Sequence, residues 1–187
     1  TNSMVSFDIV IPVEQTSLLQ KKSADEMIKV ELVPLKRLHA HEQILTYKVS
    51  EIEHLTRQWG LYKKPLLVDR YGGTILDGHH RFEVAKKLNL KCIPCVLIDY
   101  VNDSSIGVHI WPYCGRNSIT KQQVVKAALT GKLFPPKTSR HQTSDGLPSI
   151  SIPLSRLEEP AQESLFSRFL NYIDFNSSHN TLKNTRA

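Results

Sequence analysis

The sequence predicts an α/β (α+β) fold, a compact domain with a small mixed sheet and flanking helices. Three observations carry this. Apolar residues between Thr46 and Trp59 recur at steps of three or four, the spacing of one helix face. Residues 65–98 read in the order strand, turn, strand, helix, strand. A chain of 187 residues makes one ordinary domain, or a domain with an appendage, with enough length to bury a core.

Taken in order, Thr1-Asn2-Ser3 ahead of Met4 is set aside from the fold argument. Phe7-Asp8-Ile9-Val10-Ile11-Pro12-Val13 alternates apolar and polar residues and reads as an edge strand, because Pro12 lacks a ladder donor. Between Lys29 and Leu38, the residues Val30, Leu32, Leu35 and Leu38 surround Pro34, a strand ending in a short turn. Helix 46–59 puts Val49, Ile52, Leu55 and Trp59 on one side, and Gly60 stops it. Pro65 to Asp69, the turn Tyr71-Gly72-Gly73 and Thr74 to Asp77 form a hairpin. After Gly78, the residues Phe82, Val84, Ala85 and Leu88 continue as a helix to Asn89, and Cys92 to Ile98 is an apolar strand. Val108 to Trp111 adds a strand and Lys121 to Leu129 a helix that Gly131 ends, ahead of the loop Phe134-Pro135-Pro136-Lys137. The polar stretch Gln142 to Ser149 reads as a linker. An amphipathic helix follows over Pro160 to Phe175, with Leu165, Phe166, Phe169, Leu170 and Ile173 on one side. The Asn-, Ser- and Thr-rich tail from Asn176 is expected to be disordered. The expected organisation is an extension (1–28), a main domain (29–141), a linker with a C-terminal helix (142–175) and a tail (176–187).

Hydrophobic residues at 40% and charged residues at 22% fit a globular chain and argue against a disordered one. No run approaches the roughly 20 apolar residues that cross a bilayer. The N-terminus lacks the basic, apolar and small-residue succession of a secretory leader, and three cysteines are too few and too odd in number for a disulfide framework. The expectation is a cytoplasmic protein with no membrane partner. A net charge of +6 attracts anions. Because the basic residues are scattered, a local phosphate site is favoured over a nucleic-acid surface.

Asp77-Gly78-His79-His80-Arg81 places an acid at a strand end, a glycine at the bend and three polar donors at a helix start. Free N–H groups and the positive end of the helix dipole suit a phosphate there, and Gly78 lets the backbone approach closely. The alternative is an Asp-Gly turn ahead of a solvated basic helix start. Phe134 to His141 forms a second cluster, a loop stiffened by two prolines that carries Thr138, Ser139, Lys137, Arg140 and His141. It can grip phosphate or carboxylate, or it is an ordinary exposed loop. Glu42, after His41, is either a base brought into a cleft or a helix-start carboxylate. Trp111 is a substrate wall or a rim aromatic. Cys92-Ile93-Pro94-Cys95 has C-x-x-C spacing, but in a strand, where buried unreactive thiols are expected. A zinc site would have to recruit Cys114 and a histidine, without the usual second pair. Neither G-x-x-x-x-G-K-[ST] nor G-x-G-x-x-G occurs, so any nucleotide is held another way.

Through Pro34, His41-Glu42-Gln43, Asp77-Gly78-His79-His80-Arg81, Trp111 and Pro136-Lys137-Thr138-Ser139-Arg140-His141, the chain resembles the free serine kinases of the ParB and sulfiredoxin-like superfamily over Val30 to His141. The resemblance implies a compact ParB/sulfiredoxin-like domain that transfers a phosphoryl group from ATP or ADP, with Mg2+, to free L-serine. It implies Glu42 as the general base or orienting group for the serine hydroxyl and Asp77 as a catalytic residue that assists the hydroxyl or the metal. Gly78, His79, His80, Arg81, Lys137 and Thr138 would hold the nucleotide phosphates, and Trp111, Ser139, Arg140 and His141 the serine. Three departures stand out. Ser139 replaces the commoner threonine, Lys48 stands where some relatives have a second acid, and the interval from Trp111 to Lys137 lacks a long insertion that others carry. The competing reading is a ParB-like nucleotide- or DNA-binding protein without kinase activity. No helix-turn-helix follows the phosphate motif, and Glu42 with Arg140-His141 would have no purpose in it. A sulfiredoxin-like reductase needs a cysteine where this chain has His79.

Overall fold

The structure, a computed structural model, describes residues 28–143 and 146–160. The expected strand at 7–13, all but the first residue of the helix expected over 160–175, and the tail lie outside the described residues.

The centre is a four-stranded mixed sheet in the order β1-β5-β3-β4, with β1 at Val30–Pro34, β3 at Leu66–Asp69, β4 at Ile75–Asp77 and β5 at Cys92–Ile98. β1 runs antiparallel to β5, β5 parallel to β3, and β3 antiparallel to β4. The parallel pair needs a crossover, which α2 (His79–Lys87) supplies. Both faces of β3 are covered, so all four of its residues are buried. Strand alternation sends Leu66 and Val68 into a cluster with Ile93, Cys95, Phe82 and Ala85, and sends Leu67 into a second cluster with Leu76, Val96, Tyr100 and Val124.

The helix expected at 46–59 is α1, Thr46–Trp59, and Gly60 ends it in the left-handed conformation. Val49 is buried, whereas Trp59 leaves the expected apolar face, half exposed, with Lys63 Nζ 3.9 Å from its ring centroid. α3, Lys121–Thr130, starts with a capping box in which the Thr120 hydroxyl accepts from Gln123 N–H, and Gly131 closes it.

Two antiparallel ribbons complete the described chain: β6 (Gly107–Ile110) with β7 (Ser139–Gln142), and β2 (Leu61–Tyr62) with β8 (Ile152–Pro153). β7 covers residues read as loop and linker, and β8 with the short α4 (Leu154–Leu157) was not expected at all. Beyond the polar stretch, Ile150 N–H donates to Lys63 O at 3.0 Å and Leu157 is fully buried in the first cluster. These short elements are held by tertiary contacts that local pattern does not show. Cys92 and Cys95 are buried in β5, and burial raises both thiol pKa values. Among the described residues no helix is long and apolar enough to cross a membrane.

Candidate active site

Residues 41–43 reach the site by pairing with Phe134, whose N–H donates to His41 O at 2.9 Å and whose carbonyl accepts from Gln43 N–H at 2.9 Å. The chain then turns at Pro135-Pro136, with Lys137 at φ 57 and the Thr138 hydroxyl donating to Pro135 O at 2.8 Å. This turn points three successive N–H groups at Glu42. Lys137 N–H donates to Oε1, and Thr138 and Ser139 N–H donate to Oε2 at 3.1 and 2.9 Å. Consecutive amides of this kind make an anion cradle. Burial raises the Glu42 pKa, and the hydrogen bonds from Ser139, Lys137 and Thr138 pull it part of the way back.

Gly78 opens α2 at φ 105, and a Cβ there would lie 2.8 Å from Leu66 Cγ and 2.9 Å from Arg81 Nη2. Only glycine meets both demands. No side chain caps the helix, so its first N–H groups are left for another acceptor. Arg81 Nη2 donates to Asp77 Oδ2 at 3.1 Å and to Pro65 O at 3.2 Å, and its buried Nε has no partner.

The two histidines of the motif each accept a backbone N–H at Nε2 and are neutral. His80 Nε2 accepts from Leu45 N–H at 3.0 Å and so caps α1. Burial, then the cationic Lys48 and Arg81, lowers its pKa. His79 Nε2 accepts from His41 N–H at 3.4 Å, and burial followed by the surrounding histidines holds its pKa well below the usual value.

His41 and His141 hang from successive carbonyls of β4. His41 Nδ1 lies 2.6 Å from Ile75 O and His141 Nδ1 2.9 Å from Leu76 O. A carbonyl only accepts, so both rings carry their proton on Nδ1. Burial lowers the two pKa values to about 4 and about 3, so each neutral ring offers Nε2 as an acceptor. Tyr100 Oη lies 2.9 Å from His141 Nε2, and Ser139 Oγ lies 2.6 Å from His41 Nε2. Ser139 Oγ is also 3.1 Å from Glu42 Oε2, so two acceptors compete for one hydroxyl proton.

Ser139 and His141 therefore face Glu42 and His41 from one side of β7. Arg140 between them points to the other side, its guanidinium carbon 5.3 Å from the centroid of the half-exposed Trp111 ring. The expected serine-binding set is thus split over two faces of a ribbon, because side chains alternate along a strand. Thr138 is buried and spends its hydroxyl on Pro135, while the Lys137 side chain is exposed beside the cradle. His41 and Tyr100 were not singled out as site residues. A histidine directly before the candidate base was the one available signal for His41, and Tyr100 gave none.

No family model matches the chain. Over 84 residues it is 37% identical to a ParB-like protein of Sulfolobus acidocaldarius, a match covering 44% of this chain and 41% of that protein. Over 96 residues it is 30% identical to an ATP-dependent L-serine kinase of Desulfurococcus mucosus, covering 49% of this chain and 36% of the relative. An ADP-dependent L-serine kinase of Thermococcus kodakarensis is 30% identical over 83 residues, 42% of this chain and 34% of the relative. The matches thus span less than half the length of these curated relatives. Among solved structures, a glutamate-to-glutamine mutant of a free serine kinase in complex with AMP superposes with TM-score 0.64 at 17% identity, over 70% of this chain and 94% of that one. C-terminally truncated SbnI from Staphylococcus aureus gives TM-score 0.60 at 14% identity, over 80% and 96%. Similar in sequence to L-serine kinases and to a ParB-like protein, the chain has the fold of the free serine kinases.

Proposed function

We propose that the protein transfers a phosphoryl group from ATP or ADP to the hydroxyl of free L-serine, giving O-phospho-L-serine. The observation that carries this reading is the position of Glu42. Its carboxylate is fixed by the N–H groups of 137–139, and the preceding residue touches His79 at the uncapped start of α2. A base is thereby set beside an anion site. Phosphoryl transfer asks a protein mainly for alignment and for neutralisation of charge spread over phosphate oxygens.

In this reading Glu42 accepts the serine hydroxyl proton as the oxygen attacks phosphorus, and its raised pKa favours that. The first N–H groups of α2 at Gly78, His79 and His80, with Arg81 and the exposed Lys137, hold the phosphates. Thr138 contributes its N–H to the cradle rather than its hydroxyl to the nucleotide. Ser139 and His141, on the Glu42 side of β7, bound the serine; Arg140 and Trp111 lie on the other face of that ribbon and are left out of this reading. The relatives' donors, ATP in one and ADP in another, leave both nucleotides as candidates here.

Among the described residues no group of three or more His, Cys, Asp or Glu builds a metal cage. Mg2+ needs none, since one carboxylate and substrate phosphates hold it, and Asp77 is a half-exposed carboxylate at the phosphate motif. Asp77 would hold Mg2+, which would neutralise phosphate charge. The reading implies a cytoplasmic protein, where adenine nucleotides and free serine are both present.

The test is to mix the protein with L-serine, Mg2+ and either nucleotide and measure O-phospho-L-serine by mass spectrometry. Nucleotide binding without phosphoserine would favour the ParB-like reading, to which the Sulfolobus relative gives some support.

A further inference from the structure

We infer that His41 is a positioning residue for Glu42: it captures the Ser139 hydroxyl proton and so withholds that proton from the carboxylate. The inference rests on the serine kinase reading for its effect on turnover, and on geometry alone for the placement of the proton.

The Ile75 carbonyl, 2.6 Å from Nδ1, fixes the tautomer, and the ring is fully buried. Nε2 therefore carries a bare lone pair with no access to water. The Ser139 hydroxyl, 2.6 Å away, is the group that satisfies it, while the competing Glu42 oxygen is 3.1 Å away and already takes two backbone N–H groups. An unsatisfied buried acceptor costs more than one fewer donor at a carboxylate that has others. The proton goes to His41, and Glu42 keeps its backbone N–H donors without the Ser139 hydroxyl.

This orientation matters for a base. A hydroxyl donating to Glu42 would stabilise the carboxylate and weaken it as a proton acceptor. With the hydroxyl turned to His41, that stabilisation is withheld. As the serine oxygen bonds to phosphorus and the bond from phosphorus to the nucleotide breaks, the alcohol proton passes to Glu42 Oε1, which takes one backbone N–H where Oε2 takes two.

A double-mutant cycle tests this. His41→Phe keeps the bulk of the ring but removes the acceptor, so the Ser139 hydroxyl turns to Glu42. The expected result is a fall in kcat of about 10-fold or more with the KM for nucleotide within about 2-fold. In a Ser139→Ala background the same replacement should change kcat by less than about 2-fold, because no hydroxyl remains to be misdirected. Loss of the Ile75 bond is common to both backgrounds and cancels. Equal losses in the two backgrounds would show a merely structural role and overturn the inference. Long-range 1H–15N NMR of the wild-type protein decides the proton placement even if a variant does not fold or no phosphoserine forms. Protonated Nδ1 with bare Nε2 at His41 supports it, and protonated Nε2 overturns it. Absence of serine turnover would remove the kinase reading while leaving that measurement intact.

Discussion

Asp77 Oδ2 lies 3.1 Å from Arg81 Nη2, so the acid that ends β4 and the cation in the first turn of α2 close on each other across Gly78. Arg81 is thus braced rather than free to swing. Because the Asp77 side chain is half exposed, the ion pair itself should add less than about 1 kcal/mol to stability. Asp77→Asn is therefore expected to leave the melting temperature nearly unchanged while phosphoserine formation falls about 100-fold. A melting-temperature loss matching the activity loss would assign Asp77 a structural role.

Glu42→Gln keeps the shape and one acceptor oxygen but removes the base. Turnover should fall by at least about 100-fold, with nucleotide affinity by calorimetry within about 3-fold. The weakened hold on the 137–139 amides should cost about 1–2 kcal/mol of stability, readable by denaturant titration. Wild-type turnover would take Glu42 out of the mechanism.

Gly78→Ala combines a left-handed backbone with a Cβ 2.8 Å from Leu66 Cγ. Strain of roughly 2–3 kcal/mol should lower the melting temperature by roughly 5–10 °C. An unchanged melting temperature would contradict the geometry at the start of α2.

The buried histidines make stability depend on pH. His41 and His141 have folded pKa values depressed to about 4 and about 3, so the unfolded chain binds more protons below its ordinary histidine value of about 6.5. Their contribution is complete above about pH 6.5 and is lost as the pH falls through 6 and 5 toward these values, by at most about 1.4 kcal/mol per pH unit for each ring. Urea midpoints should decline over that window. In His41→Phe the slope should be shallower.

Leu157 is fully buried among Leu66, Ile93 and Cys92, well beyond the stretch read as a linker. Leu157→Ala should cost about 2–4 kcal/mol, measured by urea unfolding. A change below about 0.5 kcal/mol would show that residues 150–157 do not belong to the core.

The elements legible in the sequence were those whose own residues carry the period. Thr46–Trp59, Cys92–Ile98 and Lys121–Thr130 are long enough for apolar spacing and a terminal glycine or boundary to speak. β7 was read as loop because Ser139-Arg140-His141-Gln142 has no apolar alternation, and its strand state comes from pairing with β6. β8 and α4 are too short to declare themselves. In the site, Glu42 and the phosphate motif were visible as residue types in order. The contact between Glu42 and Ser139, 97 positions apart, belongs to the fold. So does the neutrality of His79 and His80, which burial imposes and no spacing announces.

β4 is the outermost strand on its side of the main sheet, a place where exposed peptide groups invite a stray chain to add on. That edge is instead covered by residues 39–41: His39 N–H donates to Gly73 O and His39 O accepts from Ile75 N–H, both at 2.9 Å, and His41 Nδ1 donates to Ile75 O. The segment that brings His41 to the pocket thereby also shields this rim, and loosening it would expose a template for self-association.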